Sequence, residues 1–120
     1  MTVLFSNNAR SQLAASISAG DTAVRVRVGH GDRYPKPSAA GDWFPLTLED
    51  ADGNIEILRA TDRQGDLITV QRGAEGTQPR AFTTGDAVEL RMTAAAINEV
   101  QNGGGTPQNV SVSISDGQLG

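Results

Sequence analysis

The sequence predicts an all-β fold: a compact sandwich or barrel-like domain with one short C-terminal helix and an extended C-terminal arm. Three observations carry this reading. A Gly-Asp pair followed by alternating apolar residues recurs four times, as GDTAVRVRV from Gly20, GDWFPLTLED from Gly41, GDLITVQR from Gly65 and GDAVELRM from Gly85. An Asp-Gly pair, Asp52-Gly53, separates two further alternating runs. A single Ala-rich stretch, TAAAINEVQN, has helical spacing and stands near the end. The boundaries that follow are a β-rich domain over residues 1–102, including the helix, and a Gly hinge with its arm over 103–120.

In chain order, SQLAASI (Ser11 to Ile17) reads either as a strand pairing through SAGD with AVRVRV or, on its Ala content, as a short helix. The first Gly-Asp strand would bury Val24, Val26 and Val28 on one face, because side chains along a strand alternate. In each Gly-Asp pair, Gly supplies a positive φ at a turn and Asp accepts hydrogen bonds from backbone N–H groups just ahead of it. The spacing varies, so this is repeated turn chemistry and not a sequence repeat. HGDRYPKPSAAGDW, with Pro35, Pro37 and small residues, is an irregular connection. Phe44, Leu46 and Leu48 then face inward along the next strand. LTLED and NIEILRAT form a hairpin across Ala51-Asp52-Gly53. TDRQGD is a loop into LITVQR, where Leu67 is out of step with Ile68 and Val70. Thr93 is a good N-cap for the helix, which carries Ile97 and Val100 on one side and stops at Asn102-Gly103-Gly104-Gly105. Past the hinge, Val110, Val112 and Ile114 alternate with Ser. This last run either folds back onto the domain edge or adds a strand to a neighbouring subunit.

Composition narrows the function classes. A length of 120 residues suits one domain with a modest core, and 14 glycines favour turns over helices. The formal net charge is -4, which is unsuited to gripping a phosphate backbone, so no nucleic-acid partner is expected. Lys36 is the only lysine, and arginine's planar fork suits ion pairs at protein interfaces. With no cysteine, disulfides, thiolate metal sites and cysteine nucleophiles are excluded. The start, MTVLFSNNAR, lacks the basic and apolar regions of a signal peptide, and no apolar run reaches membrane-spanning length. The expectation is a soluble chain made in the cytoplasm, with no membrane contact and no cofactor.

The candidate reactive positions resolve to structural roles. One histidine, His30, and no cysteine cannot assemble the usual zinc site, and no Ser sits at a nucleophile elbow, so His30 reads as a solvated loop residue. The run Glu49-Asp50-Ala51-Asp52-Gly53-Asn54 offers oxygen ligands, but strand-like flanks make it a hairpin tip and not a calcium loop. RGAEGTQPRAF (Arg72 to Phe82) lacks the Gly-Lys-Ser/Thr ending of a phosphate-binding loop. It reads as an ordered connection, braced by Arg72 or Arg80 pairing with Glu75 and pinned to the core by Phe82. Phe5, Tyr34, Trp43 and Phe44 read as core or interface residues, because they lie in or beside alternating strands. No catalytic, metal or cofactor-binding residue is assigned.

Several stretches taken together resemble a family of small virion proteins of tailed bacteriophages, also found as the N-terminal virion-anchoring part of tail-fibre proteins. The stretches are L-A-x-x-I-x-x-G-D from Leu13, E-I-x-x-x-T-x-R-x-G-D-x-x-T-V-x-R from Glu56, R-G-x-E-G-T with Arg80-Ala81-Phe82, and G-D-x-V-E-L-R-x-T-A-A-A-I-N from Gly85. The resemblance covers roughly Leu4 to Asn98. The resemblance implies a compact β-domain that docks on a symmetric phage structure and is not an enzyme. Fibre proteins continue into a receptor-binding shaft, whereas the helix here is followed only by the hinge and the VSVSIS tail, which favours a tail, collar or baseplate adaptor. Its expected partners are other phage virion proteins, with the chain itself a homo-oligomer in a symmetric ring or cluster. The expected contact residues are Arg72, Glu75, Thr77, Arg80, Phe82, Val110, Val112 and Ile114. The alternatives are a capsid decoration or head-fibre protein and, in another class, a carbohydrate-binding module.

Overall fold

The computed structural model describes residues 2–101 and the backbone of 105–107. Eight strands and one helix follow in order: β1 (Thr2–Phe5), β2 (Arg10–Gln12), β3 (Ala23–Arg25), β4 (Asp42–Glu49), β5 (Ile55–Gln64), β6 (Leu67–Ala74), β7 (Ala87–Glu89), α1 (Ala94–Gln101) and β8 (Gly105–Pro107). A 3-10 turn, His30–Arg33, lies between β3 and β4. The fold is all-β with one short helix, as the alternation predicts. It is barrel-like: one antiparallel sheet in the order β2-β7-β4-β5-β6-β3 curls until its edges meet at a single bridge, Leu13 to Val26.

Two features of the longest ribbon produce the curl. Between the pairs Arg59–Gln71 and Ile57–Ala74, β6 carries one residue more than β5; between Ala60–Val70 and Asp62–Thr69, β5 carries the extra one. Such bulges bend a strand and increase its twist. The alternating residues then line the inside: Leu46, Leu48, Leu58, Ile68, Val24, Val26 and Val88 are fully buried. Tyr34 enters from the long connection, stacks on Phe44 and donates its hydroxyl to the Val88 carbonyl at 2.6 Å. Burial pushes that phenol well above its ordinary pKa, Arg33 partly opposing and Glu89 adding to the shift.

One edge of β4 serves two strands. Asp42 and Trp43 pair with β1 in parallel, and Thr47 to Glu49 pair with β7. Pro45 falls in the gap between these partners, where its missing N–H interrupts no ladder. β1 also pairs in parallel with β8. A second, smaller core of Val3, Phe5, Trp43 and Ala96 forms where α1 packs on β1. Thr93 caps the helix as expected, accepting from the Ala96 N–H at 3.3 Å on its hydroxyl, with the Ile97 N–H on its carbonyl.

Four expectations change. Val28 is 92% exposed, because β3 ends at Arg25 and the chain turns away before reaching it. TDRQGD is not a loop: β5 runs through Gln64 and turns only at Gly65-Asp66, the bulge at Thr61 letting the ribbon continue. Ser11 to Ile17 forms neither a full hairpin with AVRVRV nor a helix. Its start is β2, paired with β7, and it meets the AVRVRV segment at one bridge, Leu13 to Val26, with Ala14 N–H on the Arg25 carbonyl and the Gln12 side chain on Arg27 beside it. Gly41, Gly65 and Gly85 have positive φ, but Gly20 does not. Asp21, Asp42 and Asp86 each accept from the N–H three residues earlier, whereas Asp66 reaches across the fold to the 3-10 turn. The expected arm residues Val110, Val112 and Ile114 lie outside the described residues.

Candidate interaction surface

The segment from Arg72 to Phe82 is organised by a residue that was not among the expected contacts. Glu56 sits on the inward face of β5, in step with Leu58 and Ala60, and is fully buried. Its carboxylate accepts four hydrogen bonds: from Arg72 Nε (2.8 Å) and Gly73 N–H (2.8 Å) on Oε2, and from Arg72 Nη2 (2.7 Å) and Arg80 N–H (2.9 Å) on Oε1. The Arg72 guanidinium uses its remaining donors on carbonyls of Ser18 (2.7 Å), Asp21 (2.8 Å) and Arg80 (2.6 Å). Arg72 thereby employs all five N–H groups, and the paired side chains are 6% and 0% exposed. One ion pair ties together β5, β6, the turn before β3 and the loop after β6. Burial would raise the Glu56 carboxyl, but the bonds from Arg72, Arg80 and Gly73 outweigh it and hold the group below the ordinary carboxylate range.

The rest of the loop follows from this clamp. β6 continues to Ala74, further than the sequence reading placed it, because Gly73 adopts φ 62° at the bulge. A Cβ at Gly73 would also stand 2.8 Å from Pro79 Cδ, so the position requires glycine twice over. Ala74 to Thr77 is then a tight turn with positive φ at Glu75 (54°) and Gly76 (83°), closed by Thr77 N–H on the Ala74 carbonyl. The Thr77 hydroxyl accepts from Ile57 N–H at 3.0 Å and donates to the Ala74 carbonyl at 2.7 Å. Replacing Thr77 by Val keeps the shape and the Thr77 N–H bond to the Ala74 carbonyl but orphans the Ile57 N–H, and is expected to cost about 1–2 kcal/mol in urea unfolding.

The expected pairing of Arg72 or Arg80 with Glu75 does not occur. Glu75 turns the other way and accepts from Ala95 N–H at the start of α1 (3.1 Å), where a carboxylate complements the helix dipole. Arg80 reaches Asp50 at 3.8 Å and lies 6.0 Å over the Phe82 ring. Phe82 does anchor the loop: it is 2% exposed and exchanges backbone bonds with Ile17. Arg72, Thr77, Arg80 and Phe82 are therefore brought together as a clamp. Glu75, Gly76, Gln78, Pro79 and Ala81 form its exposed rim.

The other candidate positions settle as follows. Asp50 accepts from the N–H groups of Asp52 and Asn54 and from the Asn54 amide, which closes the β4–β5 hairpin tip. Among the described residues no group of three or more His, Asp or Glu is placed to hold a metal ion. His30 is half-buried, with Nδ1 2.7 Å from Ser11 Oγ, and among the described residues no carboxylate bonds its other nitrogen.

Several carboxyls are held below their ordinary range by hydrogen bonds. Asp62 is lowered to about 2, chiefly by the Lys36 ammonium; Asp50 is lowered by Asn54, and Asp66 by the N–H groups of Gly31 and Gly29. Depressed carboxyls contribute stability that is complete above their unfolded-state values near about 4 and is lost as pH falls through the folded values. The urea midpoint should therefore fall between about pH 4 and pH 2, and an Asp66→Asn variant should show a shallower fall in this window. The sequence matches no protein-family model and no curated protein.

Proposed function

We propose that the chain is a structural bacteriophage virion protein, a tail, collar or baseplate adaptor that docks fibre or tail components in a symmetric assembly. The observation that carries this reading is the use made of R-G-x-E-G-T and Arg80-Ala81-Phe82, one of the four most specific elements of the resemblance. The Arg72 guanidinium and the Gly73 and Arg80 N–H groups are spent on holding shape, through the saturated Glu56–Arg72 pair. What remains outside is a preorganised rim of Glu75, Gln78, Pro79 and Ala81, and a preformed surface reduces the ordering cost of association.

Two observations weigh against the other classes. All five aromatic residues, Phe5, Tyr34, Trp43, Phe44 and Phe82, are at most 4% exposed, which leaves no ring on which a sugar can stack. Among the described residues the Ser11–His30 contact has no carboxylate to orient the imidazole as a catalytic one. A capsid decoration or head-fibre role uses the same scaffold and differs in copy number. Quantitative mass spectrometry of purified particles against the major capsid protein separates these. An adaptor is present at on the order of three to a dozen copies, matching a closed cyclic assembly. Copies comparable to the capsid subunit move the chain to the head, and absence from the particle removes the virion reading. Particles carrying a Gly103–Gly120 deletion test the arm separately: unimpaired assembly would exclude it from the contact surface.

A further inference from the structure

The charges of this chain are not evenly disposed. Among the described residues, five of the ten Lys and Arg side chains are ion-paired: Lys36, Arg63, Arg72, Arg80 and Arg91. Arg59 lies 3.8 Å from the centre of the Trp43 ring. That leaves Arg10, Arg25, Arg27 and Arg33 outside the ion pairs among the described residues, with Arg25 acting on Asp66 at longer range. Three of these four converge on one open cleft of about 300 Å³, which His30 and Ser11 also line. They come from three separate elements: Arg10 from β2, Arg27 from beyond the end of β3, and Arg33 from the 3-10 turn. The one acidic residue on the wall, Glu89, is taken up by Arg91 at 3.0 Å.

The cleft is also ordered. Gln12 accepts from Arg27 Nε at 2.6 Å, and the Arg10 carbonyl accepts from Arg33 Nη1 at 3.1 Å, so both side chains are held while most of their N–H groups remain free. The Ser11 hydroxyl holds His30 by Nδ1. A cluster of unpaired, positioned arginines on a chain of net charge -4 runs against the self-repulsion that normally disperses such groups.

We propose that this cleft docks an acidic segment of a partner protein, whose Asp and Glu carboxylates engage Arg10, Arg27 and Arg33. The inference rests on the docking reading above and adds the partner's chemistry. Guanidinium forks match carboxylates bidentately, and arginine is enriched in protein interfaces. A nucleic acid would require a longer basic stripe than three arginines on an acidic chain. An inorganic anion would occupy a small part of a space equal to roughly ten waters at about 30 Å³ each.

The test uses the full chain and a fluorescent hexaglutamate peptide at low salt, with oligothymidylate and inorganic phosphate as competitors. Hexaglutamate should bind, weaken with added salt, and lose roughly fivefold or more in affinity with each of R10Q, R27Q and R33Q. R25Q, outside the cleft and likewise in no ion pair among the described residues, should bind as the parent does. Melting curves check folding, and R27K, which keeps the charge, should retain more affinity than R27Q. The proposal is overturned by an absence of hexaglutamate binding, or by an equal loss in R25Q. It is also overturned if oligothymidylate binds more tightly at the same residues, or if phosphate displaces the peptide at equal concentration and marks a small-anion site. Because the assay contains no particle, its failure leaves the copy-number result standing, and absence from particles would not alter the peptide result.

Discussion

Replacing Glu56 by Gln lowers the unfolding free energy by about 3–5 kcal/mol, the largest loss expected for any single side chain outside the apolar core. The substitution leaves the Arg72 guanidinium buried without its counter-charge and puts an amide NH₂ where an oxygen had accepted from backbone or guanidinium N–H groups. Chemical denaturation measures it, and the slope of the transition should be unchanged if the native sheet persists. Replacing both partners together, Glu56→Leu with Arg72→Met, is informative in a different way. Buried ion pairs elsewhere can be exchanged for apolar pairs at little cost. Here the pair also serves backbone groups of Gly73, Arg80, Ser18 and Asp21, which a hydrophobic pair cannot satisfy. The double variant should therefore remain clearly destabilised, and a double variant as stable as the parent would show that these backbone groups find other partners.

Replacing Gly31 by Ala is expected to cost about 3 kcal/mol, the upper part of the usual range for overpacking. The reason is contact and not backbone angle, since an added Cβ would stand 2.0 Å from the Gly65 carbonyl oxygen and 2.8 Å from Asp66 Cα. These are backbone atoms of the β5–β6 turn, which cannot rotate aside. The 3-10 turn would have to lift, breaking the bonds from Gly29 and Gly31 N–H to Asp66 and pulling on Tyr34, whose N–H bonds the Gly31 carbonyl. Gly29→Ala is the control. Its φ of 82° is unfavourable for Ala, but nothing lies within 4 Å, so about 1–2 kcal/mol is expected. Thermal melts of the two variants side by side separate crowding from strain.

The sheet was legible because its signals are local. Alternation places Leu46, Leu48, Leu58 and Val88 inside, Asp52-Gly53 marks the hairpin, and Thr93 marks the helix start. The curl was not legible, because it depends on one-residue bulges at Thr61 and Gly73 that shift register without changing composition. The clamp was half legible. Arg72 and Phe82 stand out in the loop, but proximity in sequence points the arginines to Glu75, the nearest acid. Glu56 lies sixteen positions away, and its signal was an acidic residue in step with Leu58 and Ala60 on an apolar face. Positive φ at Glu75 directs that carboxylate toward α1, and no sequence pattern announces a non-glycine residue in that conformation. The arginine cleft was the least legible feature, since its three members belong to segments that meet only in the folded sheet.

The stretch from Arg72 to Phe82 is a rigid part of the fold that presents its rim ready-made. Amide hydrogen exchange at Gly73 and Arg80 tests it most directly, because both N–H groups end on the buried Glu56 carboxylate. Both should exchange only through global unfolding, with the protection of core strands, and E56Q should lower that protection in step with its loss of stability. Exchange at Arg80 as rapid as at an exposed loop tip would contradict the account, making the segment a mobile loop that orders only on contact.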